Sequence, residues 1–300
     1  MSNGLPPVSV VSPERKIKLL GRRHMTSDED VQRITHNIET IVPREDLEQL
    51  CENTIDAIKQ VTRGHKTAFA WSAGKDSLVL AHLLERAHVT RTGVLGITVG
   101  LEYPAMDMWY RDNTPDDITI NRAPYDMEWL ANNTDYIFTL SPPFPQTLTG
   151  FWAEKVWLHP QKKYCEQREK DMLILGRRRA DGNYCGPGES GIYTTKGVTR
   201  YLPIMHWSQE EVLAYLHYYQ LKLPPVYQWV NGFKVGTHPW PARQAILNMQ
   251  DGWAQVYSCD PTIVYDAATF CDSAKEYLDN PTPTQTEYHV WAGRKLGKVV

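Results

Sequence analysis

The chain has 300 residues, a formal net charge of -3, 42% hydrophobic residues and 22% charged residues, which is the composition of a globular protein. No apolar stretch approaches the roughly 20 residues that a transmembrane helix needs, and no basic segment leads into an apolar one at the N-terminus. These features exclude a membrane-spanning chain and a secretory signal, so we expect a cytoplasmic protein without a membrane partner.

The cysteines give no sign of a metal or disulfide framework. They are odd in number, scattered and free of any C-x-x-C pair, at Cys51, Cys165, Cys185, Cys259 and Cys271. A disulfide scaffold, a structural zinc and a four-cysteine iron–sulfur site are therefore not predicted, and we assign no metal ligands.

Charge is distributed unevenly along the chain. Residues 162–200 carry nine Lys or Arg and five Asp or Glu, a local charge of +4 in a chain with a total of -3. This segment indicates a phosphate-bearing small ligand or a local nucleic-acid contact, with a solvated basic surface as the alternative.

The first 36 residues show no hydrophobic periodicity, and we assign residues 1–43 to an N-terminal arm. From Pro43 to about Gly64 the spacing of apolar residues predicts an amphipathic helix. Its buried face is expected to contain Leu47, Leu50, Cys51, Thr54, Ile55 and Ile58. Cys51 is therefore predicted to serve packing rather than chemistry.

The most informative stretch runs from Thr67 to Leu80. An apolar run, a turn of small polar residues and apolar residues at helical spacing are typical of a buried strand, a tight loop and a helix start. Such a junction directs backbone N–H groups and the positive end of a helix dipole at one spot, where a phosphate is the expected ligand. A Walker A loop is excluded, because Phe69 stands at its first Gly and Asp76 follows Lys75.

Residues 93–99 predict a second strand, joined to the first by one helix as in a right-handed βαβ unit. The turn at 100–104 follows its carboxyl end, the edge at which open α/β sheets bind ligands. Further along we predict a helix, a short strand, a rigid proline-rich connection and an apolar segment for core packing or stacking, at 104–111, 117–121, 141–145 and 151–157.

A polar helix then leads to a fully apolar strand at 171–175, which ends in a run of three arginines. Guanidinium groups suit phosphate oxygens, so we expect one or two of Arg177, Arg178 and Arg179 to point into the same cleft as the first loop. The glycine-rich stretch 183–196 is predicted to be a flexible loop, either a lid or an ordinary surface loop, with Cys185 as the most exposed thiol.

Residues 201–207 resemble an edge strand. Ser208 and Glu211 form a capping-box pattern that predicts a helix from Ser208 to about Gln220.

Four motifs resemble, in order, those of the PP-loop superfamily of ATP pyrophosphatases and phosphoadenylyl-sulfate (PAPS) reductases. The first, S-A-G-K-D-S at 72–77, is similar to the PP-loop S-G-G-K-D-S, and the second, at 99–104, to T-G-L-E-F-P-E. The third, G-R-R-R-A-D at 176–181, is similar to G-x-R-x-x-E/D-S, and the fourth, at 203–215, to P-I-x-x-W-[ST]-x-x-D/E-V-x-x-Y.

The resemblance implies an α/β fold of the adenine nucleotide alpha hydrolase type, a three-layer sandwich with a mostly parallel sheet. The helical N-terminal arm would precede a PP-loop domain at 44–243, and a helical C-terminal extension would follow at 244–300.

The resemblance also implies the site. Nucleotide-binding residues would be Ser72, Ala73, Gly74, Lys75, Asp76, Ser77, Thr98, Gly100, Leu101, Arg177 and Arg178. Lys75, Asp76 and Arg177 would be catalytic, and the ligands would be ATP, or PAPS, with Mg²⁺.

The chain departs from the family pattern at several positions. Ala73 replaces a Gly, Gly182 replaces a Ser, and residues 236–243 lack the cysteines expected there. The E-C-G-L-H tail of sulfonucleotide reductases is also missing, and their chemistry needs a thiolate that attacks sulfur. Cys259 or Cys271 would have to substitute, and His238 is expected to be structural rather than a ligand or base.

Three functions follow from these observations. The leading one is an ATP-cleaving PP-loop enzyme that adenylylates a substrate in sulfur transfer or nucleic-acid modification. The alternatives are a PAPS or adenylyl-sulfate reductase with a displaced cysteine, and a catalytically inactive nucleotide-binding module. A nucleic-acid or protein substrate and a homodimer stay open.

Overall fold

The architecture was obtained as a computed structural model, which describes residues 17–20, 26–134, 150–195, 197–245 and 249–281. Six strands form one sheet, and in chain order they are β1 (Thr67–Ala70), β2 (Gly93–Thr98), β3 (Ile118–Ala123), β4 (Met172–Leu175), β5 (Ile192–Thr195) and β6 (Val198–Tyr201). The order across the sheet is β3-β2-β1-β4-β6-β5. Strand β1 pairs in parallel with β2 and β4, β4 pairs in parallel with β6, and β5 is antiparallel to β6. The predicted α/β class with a mostly parallel sheet is confirmed.

The helices of the described residues lie before, between and after these strands. They are α1 (Asp28–His36), α2 (Ile38–Ile41), α3 (Arg44–Thr62), α4 (Lys75–Arg86), α5 (Pro104–Asn113), α6 (Met127–Ala131), α7 (His159–Gln167), α8 (Gln209–Tyr218), α9 (Gly232–Val235), α10 (Met249–Cys259), α11 (Pro261–Ala267) and α12 (Asp272–Asp279). A π-helix covers Ala153–Leu158, and short 3-10 turns cover Arg179–Asp181, Pro187–Glu189, Pro225–Gln228 and Trp240–Ala245. The helical character predicted for both ends of the chain is confirmed within the described ranges.

The chain divides into two compact units that interleave along the sequence. The first comprises residues 1–95, 114–120 and 160–223, and the second comprises 96–113, 121–159 and 224–300. The domain boundaries predicted at residues 43 and 243 stay a prediction.

In the first unit, the apolar periodicity of α3 produces the buried face that was predicted. All six residues assigned to it are buried, and Thr54 and Thr62 satisfy their hydroxyls on the carbonyls of Leu50 and Ile58. The next helix is similar, since Leu80, Leu83 and Leu84 of α4 are buried. Continuous apolar strands are what a sheet covered on both faces requires, and all four residues of β4 are buried.

Helix α8 begins as its capping box predicts. The Ser208 side chain accepts the Glu211 N–H, and the Glu211 carboxylate accepts the Ser208 N–H. Both bonds satisfy donors that a helix start otherwise leaves unpaired, so this boundary was readable from local sequence.

Two expectations for the region before α8 are wrong. The strand predicted over 201–207 instead ends at Tyr201, and the chain turns after it through the bonds from Met205 N to Leu202 O and from Trp207 N to Ile204 O. Pro203 has no N–H for a sheet ladder, which favours the turn. The edge of the sheet is β5, so the flexible loop predicted over 183–196 is wrong for residues 192–195.

In the second unit, the apolar segment predicted at 151–157 contributes to the core. Trp152 and Val156 are buried, and the Phe151 ring stacks on Trp129 with centroids 5.6 Å apart. The proline-rich connection predicted at 141–145 lies outside the described residues.

Candidate nucleotide site

The predicted strand–loop–helix junction is present in the first unit. Strand β1 ends at Ala70, the loop follows, and α4 begins at Lys75 with Gly74 as its N-cap. Ala73 has φ = 57°, in the left-handed region that favours glycine, and it is fully buried. The turn that the family builds with Gly is therefore made here by the smallest residue that has a Cβ.

Two serines tie this loop together. The Ser77 hydroxyl donates to Gly74 O at 2.9 Å and accepts from Ser72 N at 3.2 Å. Ser72 Oγ in turn accepts the Gly74 N–H at 3.3 Å. Ser77 is buried and holds the shape of the loop from inside, whereas Ser72 is exposed.

Four charged residues form a cluster behind the loop, which we call the charge quartet: Lys75, Asp76, Arg178 and Asp181. Lys75 Nζ lies 2.7 Å from Asp76 Oδ2, and Arg178 Nε lies 2.6 Å from Asp76 Oδ1. Arg178 Nη2 lies 2.9 Å from Asp181 Oδ1. The side chains of Lys75 and Arg178 are only 2% and 0% exposed, so their charges depend on the two carboxylates rather than on water.

The pKa shifts of the two cations differ in direction. Burial lowers the pKa of Lys75, and the neighbouring Arg178 lowers it further against the opposing effect of Asp76. Burial also disfavours the charge of Arg178, but the carboxylates of Asp76 and Asp181 outweigh it and raise its pKa. Arg178 is therefore the fixed positive centre of the quartet.

The three arginines after β4 have different surroundings. Arg178 is buried in the quartet and also donates to Trp207 O at 3.3 Å. Arg179 is exposed and pairs with Glu189 at 2.8 Å. Arg177 is half-buried, and its Nη1 lies 3.5 Å from the Tyr193 hydroxyl.

Gly176 allows β4 to approach the start of α4. A Cβ on this residue would lie 3.2 Å from the carbonyl carbon of Asp76 and 3.3 Å from Ser77 N. Such contacts are too short without a shift of backbone, so the third motif begins with Gly for a steric reason.

The second unit contains the strand end predicted to contact adenine. Glu102 is buried there, and its Oε1 accepts both the Thr98 N–H and the Thr98 hydroxyl at 2.9 Å. The Leu101 N–H donates to Thr98 Oγ1 at 3.0 Å, and Gly100 N donates to Tyr125 O at 3.2 Å. Burial raises the pKa of Glu102 to about 7, although the bonds from Thr98 favour its charged form.

Three of the thiols, those of Cys51, Cys165 and Cys185, lie in surroundings that disfavour the reactive thiolate. Burial raises the pKa of Cys51 to about 12 and also raises those of Cys165 and Cys185. Cys185, predicted to be the most exposed thiol, is only 4% exposed. It packs in a core cluster with residues of β1 and β4, and its polar neighbours in the sequence do not indicate this burial.

Neither a metal cluster nor a membrane span emerges from the described ranges. No group of three His, Cys, Asp or Glu residues there could hold a metal ion. None of their helices combines the length and the apolar character needed to cross a bilayer.

Sequence reasoning missed Asp181, Glu102 and Tyr193 as residues of these sites. Asp181 stands three residues after Arg178, a spacing that suits an ion pair, but the burial of that pair is not a local property. Glu102 stood within a motif, and Tyr193 lay in the segment interpreted as a loop.

Comparisons with known proteins agree with the motifs. One solved structure similar to this chain is the phosphoadenylyl-sulfate (PAPS) reductase of Candida auris in a phosphate complex, at 14% identity over 61% of this chain and 90% of that chain, with a TM-score of 0.42. Another is the FMN adenylyltransferase of Candida glabrata in complex with ATP, at 13% identity over 65% of each chain, with a TM-score of 0.37. A search of curated sequences gives no match. The model of the phosphoadenosine phosphosulfate reductase domain matches residues 66–235, more than half of the sequence, and the chain therefore belongs to that domain family.

Proposed function

We propose that this protein is a PP-loop enzyme that binds ATP and transfers its adenylyl group to a substrate. A nucleophilic atom of the substrate would bond to the α-phosphorus while the bond to the α–β bridging oxygen breaks, and pyrophosphate would leave with the electron pair. The observation that carries the proposal is the loop itself, in which Ala73 turns left-handed and Gly74 caps α4. Membership in the domain family supports a nucleotide as the ligand.

The residues of the first unit suggest separate roles in this reaction. Amides of the loop and the positive end of α4 would bind the pyrophosphate. Lys75 and Asp76, through the quartet, would set the electrostatic field at the helix start and hold the loop rigid. Arg177, which has no place in the quartet, is the arginine we assign to the α-phosphate or substrate, while Arg178 acts from inside. Thr98, Gly100 and Leu101 remain proposed adenine contacts.

A resident magnesium site does not fit the quartet. Each oxygen of Asp76 already faces a cation, Lys75 on one side and Arg178 on the other. We therefore propose that Mg²⁺ arrives on the nucleotide phosphates, as is common for this ion, and we derive no step through it.

Sulfonucleotide reduction is the second candidate, because the matched domain is named for it. It needs an accessible thiolate, and the raised pKa values of Cys51, Cys165 and Cys185 disfavour one at those positions. We therefore favour adenylylation, in a sulfur-transfer or nucleic-acid-modification pathway, with ATP from the cytoplasm. A nucleic acid or a protein is the proposed acceptor class, and a homodimer is compatible with this function.

Incubation with ATP and Mg²⁺ tests the proposal, with pyrophosphate and AMP measured by chromatography. We expect both products, whereas the reductase would release sulfite from PAPS and a dithiol, and an inactive module would do neither. Binding of a non-cleavable α,β-methylene ATP should be followed by calorimetry, because slow turnover without an acceptor leaves binding measurable.

Variants locate the activity in the loop. Ser72→Glu places a negative charge on an exposed loop position and should weaken nucleotide binding at least tenfold, while Asn53→Glu adds the same charge on the exposed face of α3 and should not. Lys75→Ala and Asp76→Ala should abolish pyrophosphate release. Release that persists in folded forms of both, or equal weakening by Asn53→Glu, would contradict the assignment.

A further inference from the structure

Arg200 lies in the middle of β6 and has an uncompensated charge. Its Nη1 is buried without a hydrogen-bond partner, and no acidic side chain of the described residues forms an ion pair with it. A buried charged donor without a partner destabilises a protein, and such groups are uncommon unless they serve a function.

The sheet register places Arg200 on a defined face. Its Cα partners are Leu173 in β4 and Tyr193 in β5, and side chains of directly paired residues lie on the same face of a sheet. Leu173 belongs to a core cluster that also contains Ala68, Leu175 and Cys165, and Tyr193 packs against that cluster. The guanidinium therefore lies over the sheet rather than in the surrounding solvent.

A second cation approaches the same place. Arg177 follows β4 and reaches the Tyr193 hydroxyl, with its Nη1 at 3.5 Å, and it too forms no ion pair with a described residue. Burial lowers the pKa of Arg200, Tyr193 opposes this, and the positive charge of Arg177 lowers it further. Like charges that approach at a half-buried position without an acid between them are typical of anion sites.

The third group is the Tyr193 hydroxyl. It accepts from Arg177, and no described residue accepts its proton. The exposed Tyr184 ring packs edge-on against Tyr193, with ring centroids 5.1 Å apart.

We propose that Arg177, Arg200 and Tyr193 form a binding subsite for a tetrahedral oxyanion, a phosphate or sulfate group. Two guanidinium forks and a hydroxyl supply more donors than a carboxylate accepts, and their two positive charges match a doubly charged oxyanion. Arg200 and Tyr193 are thereby added to the site, and Arg200 determines its preference for doubly charged ligands. The subsite stands whether or not the protein cleaves ATP. Its oxyanion would come either from the nucleotide or from the second substrate.

Stability measurements separate this role from a structural one. Arg200→Met keeps the apolar stem and removes the unpaired charge, so without oxyanions its urea midpoint should equal or exceed that of the wild type. A purely structural arginine would instead lower the midpoint. Sodium sulfate should raise the wild-type midpoint relative to sodium chloride at equal ionic strength, and Arg200→Met should lose at least most of that increment.

Calorimetric titration with sulfate and inorganic phosphate provides the affinity. We expect Arg200→Met to weaken binding at least tenfold, Arg200→Lys and Tyr193→Phe to weaken it less, and Arg179→Met, which removes an exposed arginine two residues from Arg177, to change it less than twofold. Acetate should bind more weakly than sulfate to the wild type. Equal sulfate binding by wild type and Arg200→Met, or equal loss in Arg179→Met, would overturn the subsite.

Titration of sulfate in the presence of saturating α,β-methylene ATP identifies the source. Competition assigns the oxyanion to the nucleotide, and independent binding assigns it to the second substrate. Sulfate binding that persists in Ser72→Glu while nucleotide binding is lost would show that the oxyanion subsite and the nucleotide site can be disrupted independently.

Discussion

Arg178 Nε lies 2.6 Å from Asp76 Oδ1, a contact that joins the segment after β4 to the first turn of α4. The arginine is fully buried, and Asp181 occupies its other face. Two motifs far apart in the chain are thus held together by one ion pair, which explains why an arginine stands at a position that does not itself reach solvent.

Arg178→Met should destabilise the protein by about 3–5 kcal/mol, because it removes the buried cation shared by the carboxylates of Asp76 and Asp181, which are only 18% and 6% exposed. The urea midpoint and slope provide the free energy of unfolding. Arg179→Met is the matched control and should cost less than about 1 kcal/mol, since its partner Glu189 is exposed. If both variants lost the same free energy of unfolding, the buried quartet would contribute no more to stability than an exposed ion pair.

Ala73→Gly should leave the free energy of unfolding within about 1 kcal/mol of the wild type. Glycine relieves the left-handed strain at φ = 57° but adds backbone entropy to the unfolded chain. Ala73→Val should destabilise by at least about 2 kcal/mol and weaken ATP binding, because a branched Cβ cannot adopt this turn in a buried position. A valine variant with wild-type stability would show that the loop tolerates another conformation.

Gly176→Ala should displace the start of α4, because the new Cβ would lie 3.2 Å from the backbone of Asp76. We expect a loss of about 1–3 kcal/mol in stability, as for other overpacked sites, and weaker nucleotide binding in calorimetry. Gly150→Ala, where a Cβ meets open space in a helical residue, should leave nucleotide binding unchanged and should not destabilise the protein. Wild-type binding by Gly176→Ala would separate the steric contact from the function of the loop.

Glu102 should make stability fall as pH rises. Its pKa is raised from 4.5 to about 7 in the folded protein, so the folded state binds more protons than the unfolded state between these values. The stabilising contribution is complete below pH 4.5 and is lost as pH rises through about 7, with a limit of about 3 kcal/mol. Urea unfolding at pH 5 and at pH 8 provides the free energy of unfolding at each pH. The decrease from pH 5 to pH 8 should be larger in the wild type than in Glu102→Gln. The same pH dependence in both proteins would assign it to other groups.

Local sequence was sufficient to predict an element where the residues that specify it lie within one short segment. The Ser208 capping box, the face of α3 and the apolar run of β4 each specify an element through nearest neighbours or periodicity, and each is present. The interpretation of residues 201–207 as a strand is wrong after Tyr201, because Pro203 has no N–H for a sheet ladder and the apolar pattern alone does not show this. Cys185 was misjudged because the exposure of a thiol depends on what packs over it.

The sequence alone determined the α/β class, the strand–loop–helix junction at Ser72 to Ser77 and the family motifs, because these depend on spacing along the chain. Only the tertiary structure decided which surroundings Arg177, Arg178 and Arg179 each have. Arg178 lies in the buried quartet, Arg177 lies beside Tyr193, and Arg179 forms an exposed ion pair. They differ because strand register and burial place each guanidinium among side chains from distant segments. The energy of a charge depends on those neighbours, so no reading of Gly176 to Asp181 by itself could assign the three roles.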